Sequence, residues 1–244
     1  MNLTETILLL FIGGILPPIF WLFYWLREDS EKPEPRGLIF LTFVLGMIFV
    51  PIAGALEKFI NYLIAGNSNV VPAEIFFGSY VIAITILILW SVIEEALKFL
   101  AAYFGGLKRK ANDEAIDPII YMITAALGFA ACENALYMFK EISDVGYFTS
   151  SIVLTGNFRF IGSTLLHTAS SALVGVFLAF AYYKNWQVHR FCLFYGFAGA
   201  IALHTIFNSF IIRQGNFTLV GFSVVWVAII VIILLFEKVK KIKS

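Results

Sequence analysis

Glu94, Glu95 and Lys98 stand inside an apolar run from Ile75 to Phe104. A charge at bilayer depth costs about 2.5–3.5 kcal/mol or more, so carboxylates kept there point to a task. Glu94 and Lys98, four residues apart, share a helical face, while Glu95 points about 100° away. An ion pair that ties a bundle together accounts for Glu94 and Lys98 and leaves Glu95 unexplained. More polar groups interrupt other apolar segments: Glu133 and Asn134, then Arg159 and His167, then His204 and Asn208 one helical turn apart. A carboxylate in such a set can act as general base on a water, and a second acid or a histidine can protonate a leaving amine. Histidine and asparagine can stabilise an oxyanion. Two histidines and a glutamate plus water also make a hydrolytic zinc shell, here Glu133, His167 and His204. There is no His-Glu-x-x-His, so those ligands come from separate helices. Each histidine alone is equally well a packed residue bonded to a backbone carbonyl.

The elements that carry these residues are membrane helices. The 244 residues are 60% hydrophobic and 14% charged, against about 45–50% and about 25% in soluble domains. This implies an all-α, polytopic membrane protein, read as a single domain over 1–244. The net charge of +1 says nothing about nucleic acid, and the lack of a basic, aromatic-laced run argues against it as a partner. Cys132 and Cys192 both lie in apolar segments, which argues against a disulfide framework. The N-terminus lacks a basic n-region and a small-x-small site, and reads as a retained first helix.

Seven apolar spans, each about 20 residues, match a hydrocarbon core about 30 Å thick. They run near 6–26, 38–56, 75–104, 118–139, 161–183, 191–212 and 217–236. Glu57 to Ala65 reads as an amphipathic continuation near the surface, and Lys140 to Phe160 as a surface or re-entrant segment. Twelve of the 17 Lys and Arg fall in the loops after spans one, three and five and in the C-terminal tail. That alternation places the N-terminus outside and the C-terminus in the cytosol. At about 1.5 Å per residue from the cytosolic ends, Glu94 lies about 16 Å deep, His204 about 21 Å, Glu133 about 24 Å and His167 about 26 Å. Four helices running in both directions thus put their polar groups in one layer, biased to the outer half. A common site explains a shared depth, and independent salt bridges do not.

Taken together, Glu94-Glu95-x-x-Lys98, Phe129-x-x-x-Glu133-Asn134-x-x-Tyr137, Arg159, His167 and His204-x-x-x-Asn208 resemble the PrsW family of intramembrane proteases. That family looks related to the type II CAAX prenyl endopeptidases and the bacteriocin-immunity proteases. The resemblance covers spans three to six, a motif-bearing core of about 75–212. It implies that Glu94 activates water and that Glu95, Glu133, His167, His204 and Asn208 complete the site, with Lys98, Asn134 and Arg159 in support. Lys98 stands where the CAAX enzymes carry an arginine one residue further on, and Glu133 where they carry a histidine; both departures favour PrsW. The resemblance further implies a multi-pass cell-membrane protease, a membrane-anchored substrate of the anti-sigma-factor class, and metallopeptidase chemistry with zinc as the favoured ion. A metal-free site, with His204 and Asn208 holding the oxyanion, is the other arrangement.

Rival chemistries have weaker support. A serine protease needs a Gly-x-Ser-Gly setting, and Gly162-Ser163 near His167 lacks the second glycine. An aspartyl intramembrane protease needs two membrane aspartates, and no span interior holds one. Cys132 sits about 100° round its helix from Glu133 and reads as packing. The serious rival is a proton- or ion-coupled transporter that uses the Glu/His layer as a relay. A non-catalytic partner that sequesters membrane proteins is the third class. Cleavage of a defined membrane substrate separates the first reading from both.

Overall fold

The computed structural model describes residues 3–29, 32–67, 69, 78–145, 150–213 and 215–242, and side chains for all of these except 3, 145 and 150–161. The described residues are helical, with no strand among them. Helices α1 (Leu3–Leu10) and α2 (Leu16–Glu28) are joined by a π turn over Phe11–Ile15 and form the first span. Then come α3 (Arg36–Ala65) and α4 (Tyr80–Ala102), the latter running into a second π turn at Tyr103–Leu107. Helices α5 (Asp117–Val145), α6 (Ser150–Ala181), α7 (Trp186–Arg213) and α8 (Asn216–Val239) complete the chain. Seven helical segments are long and apolar enough to cross a membrane.

Burial grades the helices. In the apolar windows of α5 and α6, 78% and 83% of residues are buried, against 11–39% in the other five. These two helices are therefore the axis, and the rest pack round them with apolar residues such as Phe40, Val81 and Leu234 exposed on the outside. In a bilayer such faces meet lipid, whose tails solvate them as protein would. Small residues set the close approaches. A Cβ on Gly128 of α5 would strike the Phe43 carbonyl of α3, and one on Gly46 of α3 would strike the Ala125 carbonyl of α5. The two backbones touch there, in the manner of small-residue crossings in membranes.

Two segments depart from the sequence expectation. Lys140–Val145 continues α5, because no proline or glycine interrupts the chain before Gly146. Positions 150–160 belong to α6, so the surface or re-entrant segment is helix on both sides of 146–149, which lie outside the described residues. Glu57–Ala65 is one piece with α3, whose 30 residues span about 45 Å and overrun a core about 30 Å thick. Ile75–Phe77, the expected start of the third span, also lie outside the described residues.

The loops at one end of the bundle are pinned by acids. Asp29 Oδ2 accepts the Glu34 N–H at 3.2 Å, and Glu34 accepts from the Tyr121 hydroxyl. Asp117 Oδ2 accepts the N–H groups of Asp113 and Glu114, both at 2.7 Å. Asp29 and Glu34 are buried. Burial, with the neighbouring Asp117 charge adding, pushes Asp29 up to about 7 and Glu34 up to about 8. Lys240 at the end of α8 reaches Glu28 of α2 at 2.6 Å, so the first and last helices close on each other here.

Candidate active site

Helix α4 presents a stripe of buried residues, Ser91, Glu94, Glu95, Lys98, Ala101 and Ala102, at the spacing of one helical face. That stripe meets α6 and α7. The Ser91 hydroxyl accepts from Thr205 Oγ1 of α7 at 3.1 Å, locking the rotation of the two helices. On α6, His167, Ser170 and Ser171 fall three and four residues apart and so face the same way.

Glu95 is fully buried and saturated. Its Oε1 accepts from Lys98 Nζ at 2.9 Å, Ser170 Oγ at 2.9 Å and His204 Nδ1 at 2.9 Å, and its Oε2 accepts from Ser171 Oγ at 3.0 Å. The bond from His204 fixes a tautomer, with the proton on Nδ1 and the Nε2 lone pair turned inward. His167 is fixed in the opposite sense. Its Nε2 donates to Glu133 Oε2 at 2.9 Å, and its Nδ1 accepts from Lys98 Nζ at 2.6 Å. Ser163 Oγ donates to the same Glu133 oxygen at 3.1 Å. The two imidazoles stand edge to face with centroids 5.3 Å apart. The Lys98 ammonium also lies 4.8 Å from the centroid of the Phe129 ring, a cation–π contact.

Glu94 differs from its neighbour. Its Oε2 lies 3.3 Å from Lys98 Nζ, 3.7 Å from His167 Nδ1 and 3.8 Å from His204 Nε2. Yet among the described residues no hydrogen bond is directed at this buried oxygen. Glu94 and Glu133 share the wall of one cavity with Phe129 and α3. A carboxylate that lines a cavity, pairs with Lys98 and keeps an oxygen to which no hydrogen bond is directed is placed to act as a base.

The structure thus brings together Glu94, Glu95, Lys98, Glu133, His167 and His204. Asn208 is half-buried one turn beyond His204 on α7, with no described hydrogen bond. Asn134 stands beside the cluster, its Nδ2 donating to Thr164 Oγ1 at 3.1 Å and joining α5 to α6. Arg159 lies among the residues whose side chains are not described. Sequence reasoning missed Ser170 and Ser171, although their offset from His167 was the signal. Ser163 was weighed as a nucleophile, whereas its hydroxyl serves Glu133.

A metal has a plausible seat. One ligand atom each from Glu94, His167 and His204 lie within 4.8 Å of one another, all three residues buried. Glu95 and Glu133 stand behind the two imidazoles, as carboxylates do behind zinc-bound histidines. Three carboxylates face one ammonium, so the cluster has negative charge to spare for a divalent ion. Lys98 would have to release His167 Nδ1.

A buried cluster of glutamates, histidines and a lysine in a seven-span bundle defines a membrane-embedded hydrolytic enzyme. The family model for "PrsW family intramembrane metalloprotease" matches residues 34–235, and the chain belongs to that family. It is therefore a multi-pass membrane protein and an intramembrane protease, acting on membrane-anchored substrates within the bilayer. Protease PrsW of Geobacillus kaustophilus is 27% identical over 202 residues, covering 80% of this chain and 76% of its own. Protease PrsW of Clostridioides difficile is 27% identical over 200 residues, 82% of this chain and 77% of its own. That of Bacillus subtilis is 31% identical over 127 residues, 52% of each chain. No solved structure matches.

Proposed function

We propose that the protein hydrolyses a peptide bond near the outer face of a membrane-anchored, anti-sigma-factor-like protein, with Glu94 as the base. The carrying observation is the contrast between two adjacent carboxylates: Glu95 is fully buried and saturated by four donors, whereas Glu94, whose Oε2 accepts no hydrogen bond among the described residues, lines the cavity. In this reading Glu94 takes a proton from water as the water oxygen attacks the scissile carbonyl carbon. Asn208 and the Lys98 charge offset the negative charge that grows on the carbonyl oxygen. Glu94 then returns the proton to the leaving amine, and the C–N bond breaks. Glu95 holds Lys98 and His204 in place, and Glu133 holds His167. The charge of the loops supports a cytosolic C-terminus, which turns the cavity between α3 and α5 outward.

A second reading is favoured by the convergence of Glu94, His167 and His204. Zinc held there would supply a Lewis acid and a more acidic water. Glu133, the remaining carboxylate on the cavity wall, would then take the proton. The test uses purified, reconstituted protein and a single-span anti-sigma-factor-like substrate. The product ends are mapped by mass spectrometry, and metal content is measured with and without chelator. Cuts outside the membrane midplane, with full activity in metal-free protein, support the first reading. Stoichiometric zinc that is lost together with activity in His204→Ala supports the second. No cleavage of any membrane-anchored substrate contradicts both.

A further inference from the structure

In the charged cluster Glu95, Lys98, His167 and His204 are 0–2% exposed. Glu94 and Glu133 line a cavity of about 430 Å³ between α3 and α5. That volume falls in the range of ligand pockets, about 300–1,000 Å³. The cavity lies two turns outward from the Gly46–Gly128 contact, where the same two helices touch backbone to backbone. On the α3 side, from Val50 to Ala55, no lining residue is larger than valine. A Cβ added to Gly54 meets nothing within 4 Å. Among the lining residues Pro51, Ala55 and Leu136 are exposed and form an apolar rim, and Glu57 and Lys58 stand at the outer end. Glu57 is half-buried and close enough to feel the charges of Glu94, Glu133 and Lys98.

We propose that this α3–α5 cleft is the substrate-binding site, that it takes an unwound, extended segment of the membrane-anchored protein, and that Glu57 selects segments with a basic residue on the outer flank of the scissile bond. This rests on the protease reading above and adds where the substrate lies and what it must carry. The chemistry demands an extended occupant. Inside a helix each carbonyl is bonded and walled in by side chains, and a base cannot bring water to it. A wall of alanine, glycine and proline lets a bare main chain approach within reach of Glu94. The apolar rim admits the neighbouring anchor from the bilayer without dehydrating polar groups. At the mouth, Glu57 joins Glu94 and Glu133, and Lys58 is the one cation among the lining residues. Three carboxylates against one lysine leave the lining net acidic, which favours a lysine or arginine there over an acid.

The test fills the cleft. Gly54→Leu puts a side chain into the open space beside Glu94, and leucine is the better helix former, so the helix itself is not weakened. Gly37→Leu is the control, since Gly37 is on the same helix and an added Cβ there also meets nothing within 4 Å. Gly54→Leu should raise KM and lower kcat/KM at least about tenfold on the reconstituted single-span substrate, with thermal stability not lowered; Gly37→Leu should match wild type. Glu57→Gln should erase the ratio of kcat/KM between substrates with lysine and with alanine on the outer flank. A third readout needs no turnover: Ala55→Cys in a Glu94→Gln background should form a disulfide with a cysteine placed near the substrate's cleavage site. Gly54→Leu protein that cleaves at the wild-type rate, an unchanged flank ratio in Glu57→Gln, or cross-links that avoid Ala55→Cys would overturn the cleft while wild-type cleavage left the protease reading standing. Wild-type protein that cleaves no membrane-anchored substrate overturns the protease reading, and the cleft's role with it.

Discussion

Removing the buried ammonium should damage this protein more than any other single charge change. Lys98 is 0% exposed. It touches Glu95 Oε1 at 2.9 Å, Glu94 Oε2 at 3.3 Å and His167 Nδ1 at 2.6 Å. Lys98→Met keeps much of the length and the contact with Phe129 but leaves the carboxylates uncompensated. Breaking a buried ion pair on one side costs about 3–5 kcal/mol. In a chain of this size that is a fall in Tm of about 6–20 °C. The loss comes from the stranded Glu95 charge, so removing that charge as well should recover part of it. Lys98→Met with Glu95→Gln should be more stable than Lys98→Met alone, with a coupling of at least about 1 kcal/mol. Thermal unfolding of the four proteins of this cycle in one nanodisc composition reads both numbers. A Lys98→Met protein that melts with wild type, or a double variant with purely additive losses, refutes the reasoning.

Other expectations follow from the same contacts. Ser170→Ala and Ser171→Ala each remove a donor to a buried carboxylate, a loss of about 1.5–3 kcal/mol per bond; thermal unfolding should show the double variant worse than either, with cleavage falling less than in Glu94→Gln. At the loop end, Asp29 and Glu34 bind protons more tightly folded than unfolded, about 7 against 3.8 and about 8 against 4.5. Their contribution is fully present below about pH 4 and is lost as pH rises through 7 to 8. Asp29→Asn should therefore raise Tm at about pH 8.5 and change it little at about pH 3, and equal effects at both pH values would contradict this.

The spans and the cluster were legible because both follow from one helix at a time. Hydropathy marks the helices, and counting residues from their charged ends puts Glu94, Glu133, His167 and His204 at one depth. What a single helix cannot give is its rotation against its neighbours. A helical wheel pairs Glu94 with Lys98 at i,i+4, and that pair forms at 3.3 Å, but the wheel does not show that Lys98 also donates to Glu95 at i,i+3 and to His167, whose acceptor α6 supplies. For the same reason the wheel does not say which glutamate faces the cavity. Glu57 read as part of a surface continuation, since its importance depends on α5 standing opposite. Asp29 and Glu34 are far in sequence from Asp117 and meet it only when the helix ends close. The helical continuation through Lys140–Val145 was hidden for a different cause: its polar residues signal the end of the apolar span and not the end of the helix.

The most direct test of the central claim is the single-turnover cleavage rate of Glu94→Gln beside wild type and Glu95→Gln, on reconstituted single-span substrate. Glutamine keeps the shape of Glu94 and loses its basicity, and no hydrogen bond is directed at its Oε2, which lies 3.3 Å from Lys98 Nζ. The account predicts a fall of at least about a hundredfold with wild-type thermal stability, whereas Glu95→Gln loses stability along with activity. A stable Glu94→Gln protein that cleaves at the wild-type rate would contradict it.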